Sequence, residues 1–492
     1  MRLFRNPFRP MFALWRSGLK WYYSHMKNSP RIAILVFSAA CLSAQAQTGT
    51  PIPQLAKFDT AMVNLLNQYQ VPGGQLAITY HGRLVYNRGF GYADTASHTP
   101  VNPGSLFRLA SLSKQITSIT LMHMIEKGKL QLSDTVFGPH GILKDSIYAH
   151  AIDARVYTIT VQQLLEHAGG WNSSISGDPM FNAYAIALAM GVPPPADPVS
   201  IIRYVFKNQM LDFAPGAQYQ YSNFGYSILG RVIEKLTGQK YEDYVRSEIL
   251  LPLHITTMRQ GSNLREKKLP DEVEYYDYPN APKAYSVYDG TTLVPWPYGG
   301  FNLEAMDSQG AWVSSAEDLC RLLVAVDGFP TVPDILAPAS IATMTKPSSA
   351  NAYYALGWQV NTLHNWWHTG SLPGTVTEIV RGDNQMNWAI LLNTRPAVSG
   401  PLFDAVDLLV WNVLPAIKEW PAQDLFAPVT KIRRSGLSSV PHSAEGRFSI
   451  LLDAPSLDPA IEVRGLSGRS LRGKASRPGA EITLSPHSSP GF

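Results

Sequence analysis

Cysteine is nearly absent: the 492 residues include Cys41 and Cys320 and no other. Cys41 falls inside an apolar amino-terminal stretch. Removal of that stretch leaves a single thiol, which excludes an internal disulfide. Cys320 lies in a helical pattern over residues 315–323, where a lone cysteine is most simply a small core residue. Charge is sparse too, at 16% of residues against 45% hydrophobic, as in an ordinary globular core under a weakly charged surface. The net charge of +4 comes from the two ends. Residues 1–31 carry seven Lys/Arg and no acid, and residues 428–492 carry nine against five acids. Setting these aside from the totals of 41 and 37 leaves 25 basic and 32 acidic residues, about −7 for the body, which excludes a nucleic-acid footprint. The apolar run at residues 32–42 is too short to span a bilayer comfortably. No Gly-x-Ser-x-Gly elbow and no phosphate-cradling glycine loop is present. His140, His150 and His167 match no zinc spacing and read as scattered loop or helix histidines. No internal repeat is found.

What is present begins with an address. Met26-Lys27-Asn28-Ser29-Pro30-Arg31 is basic, residues 32–42 are apolar, and Ala44-Gln45-Ala46 is a small-x-small cleavage pattern. Together they predict an export signal over residues 1–46, with residues 1–25 as an over-long start, and a periplasmic or secreted product. The alternative is an uncleaved membrane anchor with its basic side cytoplasmic. Residues 47–427 form the predicted main domain. Leu55, Phe58, Met62, Leu65 and Leu66 recur with helical period, predicting a helix over 55–69. Residues 75–80 and 84–88 read as strands joined at His81-Gly82-Arg83. A helix is expected after Ser111 on the period Ile116, Ile119, Thr120, Met124 and Lys127, ending at Gly128. Further helices are expected at 160–167, 224–236, 241–249 and 401–413, a proline-rich loop at 191–198, and strands at 378–381 and 389–393. Residues 262–300 interleave Tyr275, Tyr276, Tyr278, Tyr285, Tyr288, Trp296 and Tyr298 with five prolines. That stretch reads either as a packed surface excursion or as a cleft wall. From about Ala427 the composition shifts to Ser, Arg, Pro and Gly. Residues 448–452 read as a strand, but most of the tail 428–492 looks unable to bury a core.

Three motifs carry the chemistry. Ser111 and Lys114 lie three residues apart, one helical turn on one face. A serine hydroxyl becomes a nucleophile when a base takes its proton, and a lysine is that base when burial or positive neighbours depress its pKa. Tyr221-Ser222-Asn223 follows Phe213-Ala214-Pro215-Gly216 at a helix start, and His368-Thr369-Gly370 follows Gly357-Trp358 and Trp366-Trp367.

In this order, and framed by Leu106-Phe107-Arg108-Leu109-Ala110-Ser111 and Gly310-Ala311-Trp312-Val313-Ser314, the motifs resemble those of the serine β-lactamase and penicillin-binding-protein superfamily. The likeness is to its class C β-lactamase, DD-peptidase and esterase branch, and covers roughly residues 55–420. The resemblance implies an α/β fold: an antiparallel sheet flanked by helices, plus a mostly helical subdomain. It implies Ser111 as nucleophile, Lys114 as proton acceptor, and Tyr221 as second base or, as phenolate, the main one. Asn223 would bind Lys114 and a substrate carbonyl. The backbone N–H groups of Ser111 and Ser371 would form the oxyanion hole, Thr369 would line the substrate strand, and Gly370 would clear room for substrate. No cofactor is implied. The expected partners are a small ester or amide, or a peptidoglycan-type peptide, with membrane contact only through the amino-terminal segment. One position departs: His368 stands where typical members carry lysine. Histidine titrates near 6.5 and is expected to be partly charged, able to orient Tyr221, and less suited to binding a substrate carboxylate. That favours an esterase or peptidase-like hydrolase over a true β-lactamase. The alternative class is a cell-wall sensor that acylates without turnover.

Overall fold

The computed structural model describes residues 46–426 and five short strands between residues 449 and 486. The export-signal expectation and Cys41 lie outside the described residues. The chain divides into two units, 1–426 and 427–492. In the second, Ser449–Leu451 pairs with Glu481–Thr483, and Ser470–Lys474 pairs with Ala460–Arg464 and Ser485–Pro486.

In the first unit, helix α1 (Ala56–Tyr69) buries Phe58, Met62, Leu65 and Leu66, the stripe expected from its period, and stops where Gln70 turns left-handed. Strands β1 (Gly73–Tyr80) and β2 (Arg83–Asp94) follow. The hairpin between them places His81 and Gly82 at φ 52° and 73°, the positive values that suit a tight turn between twisted strands. Both strands run longer than the alternation alone predicts, because both faces of this sheet are covered and the pattern is not two-sided.

Helix α2 (Ser113–Glu126) is buried on every side from Ser113 to Met122. The predicted stripe is buried at Ile116, Ile119, Thr120 and Met124 but not at Lys127, which is exposed, caps the helix end and pairs with Glu248, and the burial extends well beyond the stripe. Its hydroxyls are satisfied inside the core: Thr117 Oγ1 donates to the Ser308 carbonyl at 2.6 Å and Ser118 Oγ to the Leu356 carbonyl at 2.5 Å. Helix α3 (Asn223–Thr237) is capped by Ser222, whose Oγ accepts from Gly225 N, and ends at left-handed Gly238. The proline-rich connection is one residue shorter than predicted, since Pro198 already opens a helix behind the Asp197 cap. Helix α4 (Ala316–Val324) buries Cys320 as a free thiol.

Strands β3 (Trp366–Leu372), β4 (Thr375–Gly382) and β5 (Met386–Leu392) complete the sheet, followed by helix α5 (Ser399–Val413). The order is Gln47–Thr48, β2, β1, β5, β4, β3, Gln359–Val360, antiparallel throughout. Helices α1 and α5 pack on one face through Phe58, Leu66, Leu402 and Val406 against Val376, Val380 and Ile390. The helical part with α2, α3 and α4 packs on the other, where Ile379, Ala389 and Ala77 belong to its core. This is the α/β arrangement expected.

The aromatic excursion at 262–300 closes around Arg108. Its guanidinium lies 4.0 Å over the Tyr275 ring and donates to the Pro297 and Ser262 carbonyls, each at 2.8 Å. The Arg108 backbone N–H donates to Tyr275 Oη at 2.9 Å, and that hydroxyl donates to Glu272 at 2.7 Å.

Candidate active site

Ser111 sits in a tight 3-10 turn, Ala110–Leu112, that runs into α2. The turn is bolted to its surroundings by backbone and hydroxyl bonds. Leu109 N donates to the Trp312 carbonyl at 2.7 Å, Thr377 Oγ1 to the Leu109 carbonyl at 2.8 Å, and Thr375 Oγ1 to the Arg108 carbonyl at 3.0 Å. Ala110 is held left-handed at φ 50°, a conformation that costs an L-residue about 1–2 kcal/mol and persists because the neighbours over-determine it. Gly370 is explained by the same turn. A Cβ there would strike Thr377 Oγ1 and the Leu109 carbonyl and lie 3.1 Å from Ser111 N. The glycine clears room for the turn that carries Ser111.

Around Ser111 Oγ the expected groups converge. Tyr221 Oη donates to it at 2.6 Å, and Lys114 Nζ lies 3.2 Å away. Lys114 also meets Asn223 Oδ1 at 2.8 Å and the Gln309 carbonyl at 2.9 Å. Both of those oxygens only accept. Burial, only partly offset by Asp178, pushes the Lys114 pKa well below its ordinary value. A neutral amine gives its two N–H groups to the two carbonyl-type oxygens and keeps its lone pair for the Ser111 hydroxyl. Tyr221 moves the other way: burial raises its pKa, although the Ser111 hydrogen bond lowers it somewhat. A phenolate base at Tyr221 is therefore disfavoured, and the base strength in this site lies on Lys114.

His368 corrects the expectation made for it. It is buried, and burial together with the nearby Lys114 brings its pKa down to about 3, so it is neutral rather than partly charged at neutral pH. Nor does it hydrogen-bond Tyr221. Its Nε2 lies 3.2 Å from Tyr354 Oη and its Nδ1 2.6 Å from the Thr369 carbonyl. Asn223 is oriented by a residue the motifs do not contain: its Nδ2 donates to Asp178 Oδ2 at 2.7 Å. His167, read from sequence as a scattered histidine, lies against the Tyr221 ring with centroids 4.4 Å apart. Asp178, Gln309 and Tyr354 carried no signal of their own, although Gln309 immediately precedes the framing segment at Gly310.

Ser111, Tyr221, Asn223, His368, Thr369 and Ser371 all line one cavity of about 440 Å³. Phe181, Tyr219, Leu372 and Phe403 give it an apolar wall. Among the described residues, those lining it include no lysine, no arginine and nothing from 262–300, which makes that aromatic stretch a packed excursion. Among the described residues no group of three His, Cys, Asp or Glu gathers as metal ligands.

The Beta-lactamase family model matches residues 58–409, a span that includes every residue of the cavity. The chain belongs to the beta-lactamase family. Among curated members of similar sequence, Protein flp of Staphylococcus aureus (strain NCTC 8325 / PS 47) is 26% identical over 345 residues, 68% of this chain and 62% of that protein. The serine beta-lactamase-like protein LACTB, mitochondrial, of Mus musculus is 24% identical over 319 residues, 51% of this chain and 57% of that one. The chain thus spans about three-fifths of the length of the curated relatives it matches. Among solved structures, the octameric penicillin-binding protein homologue from Pyrococcus abyssi has a TM-score of 0.55 at 22% identity, covering 88% of each chain. The D-amino acid amidase from Ochrobactrum anthropi SV3 complexed with D-phenylalanine has a TM-score of 0.56 at 21% identity, covering 73% of this chain and 99% of its own. The beta-lactamase and transpeptidase-like fold expected from the motifs is the fold present.

Proposed function

We propose that this beta-lactamase-family protein is a serine hydrolase that forms an acyl-enzyme on Ser111 and hydrolyses an ester or amide with a neutral, largely apolar acyl group. The observation that carries the proposal is Ser111 Oγ on the cavity wall, 2.6 Å from Tyr221 Oη and 3.2 Å from Lys114 Nζ. In the forward step Ser111 Oγ bonds to the substrate carbonyl carbon while its proton passes to neutral Lys114. The carbonyl oxygen takes the negative charge against the Ser111 and Ser371 N–H groups, where one donor is typically worth about 2.7–4 kcal/mol. The bond to the leaving group then breaks, and Tyr221 delivers a proton to it and is resupplied from Lys114. Water repeats the sequence on the acyl-enzyme, giving the acid and restoring Ser111.

A neutral His368 and a cavity lined without lysine or arginine support substrates that carry no obligatory carboxylate. Export is part of the proposal and rests on the basic, apolar and small-residue pattern over residues 26–46. The test is a panel of short-chain nitrophenyl esters, nitrocefin and D-alanyl peptides, with fluorophosphonate labelling. Wild type is expected to turn over the esters best, and Ser111→Ala to lose both turnover and label. Labelling that persists in Ser111→Ala overturns the assignment. A burst of acylation without release transfers the protein to the sensor class.

A further inference from the structure

Behind Tyr221 a row of buried polar atoms admits one arrangement of protons. At one end the Ser222 backbone N–H can only donate, and it points at His167 Nδ1 at 3.1 Å. That nitrogen must present its lone pair, so the proton of a neutral His167 sits on Nε2, 3.0 Å from Tyr354 Oη. At the other end the Thr369 carbonyl can only accept, and His368 Nδ1 lies 2.6 Å from it. The His368 proton is therefore on Nδ1, and its Nε2 lone pair faces the same Tyr354 hydroxyl at 3.2 Å. Tyr354 accepts from one ring and donates to the other. The two histidines must hold opposite tautomers because both ends of the row are backbone groups, which cannot change role.

An additional proton has no place in this row. On His167 Nδ1 it would meet the Ser222 N–H, and on His368 Nε2 it would meet the Tyr354 O–H. All three side chains are buried, and burial lowers the pKa of both rings, with any positive charge at Lys114 acting in the same direction. One rival acceptor exists. The Tyr226 hydroxyl, which donates to the Leu165 carbonyl at 2.9 Å, also faces Tyr354.

We propose that Tyr354 and His167 are positioning residues of the acylation site. They hold His368 as an Nδ1–H imidazole, and they tie the loop of Tyr221 to the strand that carries Thr369 and Ser371. The link is mechanical at both ends. His167 packs against the Tyr221 ring at a tilt of 43°, with centroids 4.4 Å apart, and so limits where that ring can lie, and His368 holds the Thr369 carbonyl of the peptide that leads into Gly370. The catalytic consequence rests on the Ser111 reading; the proton arrangement does not.

The test uses the full chain labelled with 15N-histidine. Long-range 1H–15N correlations are recorded between pH 6 and pH 8, with assignment by His167→Gln and His368→Gln. Expected are two neutral rings, His167 protonated at Nε2 and His368 at Nδ1, throughout that range. An imidazolium at either position, or the same tautomer in both, overturns the proposal. In Tyr354→Phe the His368 signals should shift, and kcat on a nitrophenyl ester should fall about three- to tenfold, the loss of one buried hydrogen bond, with KM little changed. Unaltered kcat in that variant removes the positioning role. Opposite tautomers in a protein whose Ser111→Ala variant still labels would refute the nucleophile assignment and leave the proton arrangement standing.

Discussion

Glu378→Gln should stabilise the protein at neutral pH and not at acid pH. Glu378 lies in the middle of β4, opposite Thr369 of β3 and Ile390 of β5, fully buried on the face that α1 and α5 cover. The Trp388 indole N–H lies on the same face, near enough to lower the Glu378 pKa a little but outside hydrogen-bond geometry, and neither Glu378 oxygen has another partner. Burial first, and the nearby Asp407 carboxylate second, push the Glu378 pKa well above the usual carboxylate range. The folded protein therefore keeps a proton that the unfolded chain releases near 4.5. Stability from this site is fully present below about 4.5 and is lost as pH rises toward the folded value, at about 1.4 kcal/mol per pH unit. Glutamine preserves the shape and removes the titration. Urea unfolding of wild type and Glu378→Gln at pH 5, 6 and 7 reads the difference directly from the midpoints and slopes. The gap in favour of the variant should open by about 1.4 kcal/mol between pH 5 and pH 6. A gap that does not change with pH would refute the reasoning, because it would mean that Glu378 ionises in the fold as readily as in water.

Two further outcomes concern the site. With neutral Lys114 as the proposed base and its pKa depressed by burial, kcat/KM should fall as pH drops through that depressed value, and His368 should add no limb of its own, since it stays neutral down to about 3; a limb near 6.5 that vanishes in His368→Gln contradicts this. Gly370→Ala should cost about 1–3 kcal/mol of stability from overpacking and lower kcat by about a hundredfold or more, as the Leu109–Ser111 turn is pushed off the strand and the oxyanion donors separate; thermal melts with ester kinetics check it, and a variant with wild-type kcat would show that the turn has room to spare.

The sequence was most legible where a single residue type answers a local need. Leu65 and Leu66 in α1 and the His81-Gly82 turn each solve a problem within a few residues, and each lies where the pattern predicts. Helix α2 was legible only in part. Ser113, Thr117 and Ser118 fall outside the predicted stripe, but their partners are Trp312 N, Ser308 O and Leu356 O, all far away in sequence. The same limit hid Asp178 and Tyr354, whose importance lies in what they touch. His167 carried no useful signal, since a histidine whose spacing matches no zinc pattern says nothing about a ring packed against tyrosine. Protonation was the least legible property. The tabulated value for histidine predicts partial charge at residue 368, and only its burial beside Lys114 reverses that.

The clamp on Arg108 bears on how this protein can change over time. The excursion at 262–300 has the outward character of a dispensable insertion: proline-rich, with little regular structure beyond the pairing of Ala284–Tyr285 with Leu293–Val294. Yet it supplies the two carbonyls and the aromatic ring that hold Arg108, three residues before the nucleophile. Shortening it, or exchanging it with a relative's, would disturb every substrate equally. Phe181, Tyr219 and Phe403 stand on the opposite footing, facing the cavity without holding the turn. On the proposed function, selection or engineering for a new acyl group has its freedom there, and the loop that looks most replaceable is the one this protein can least afford to trade.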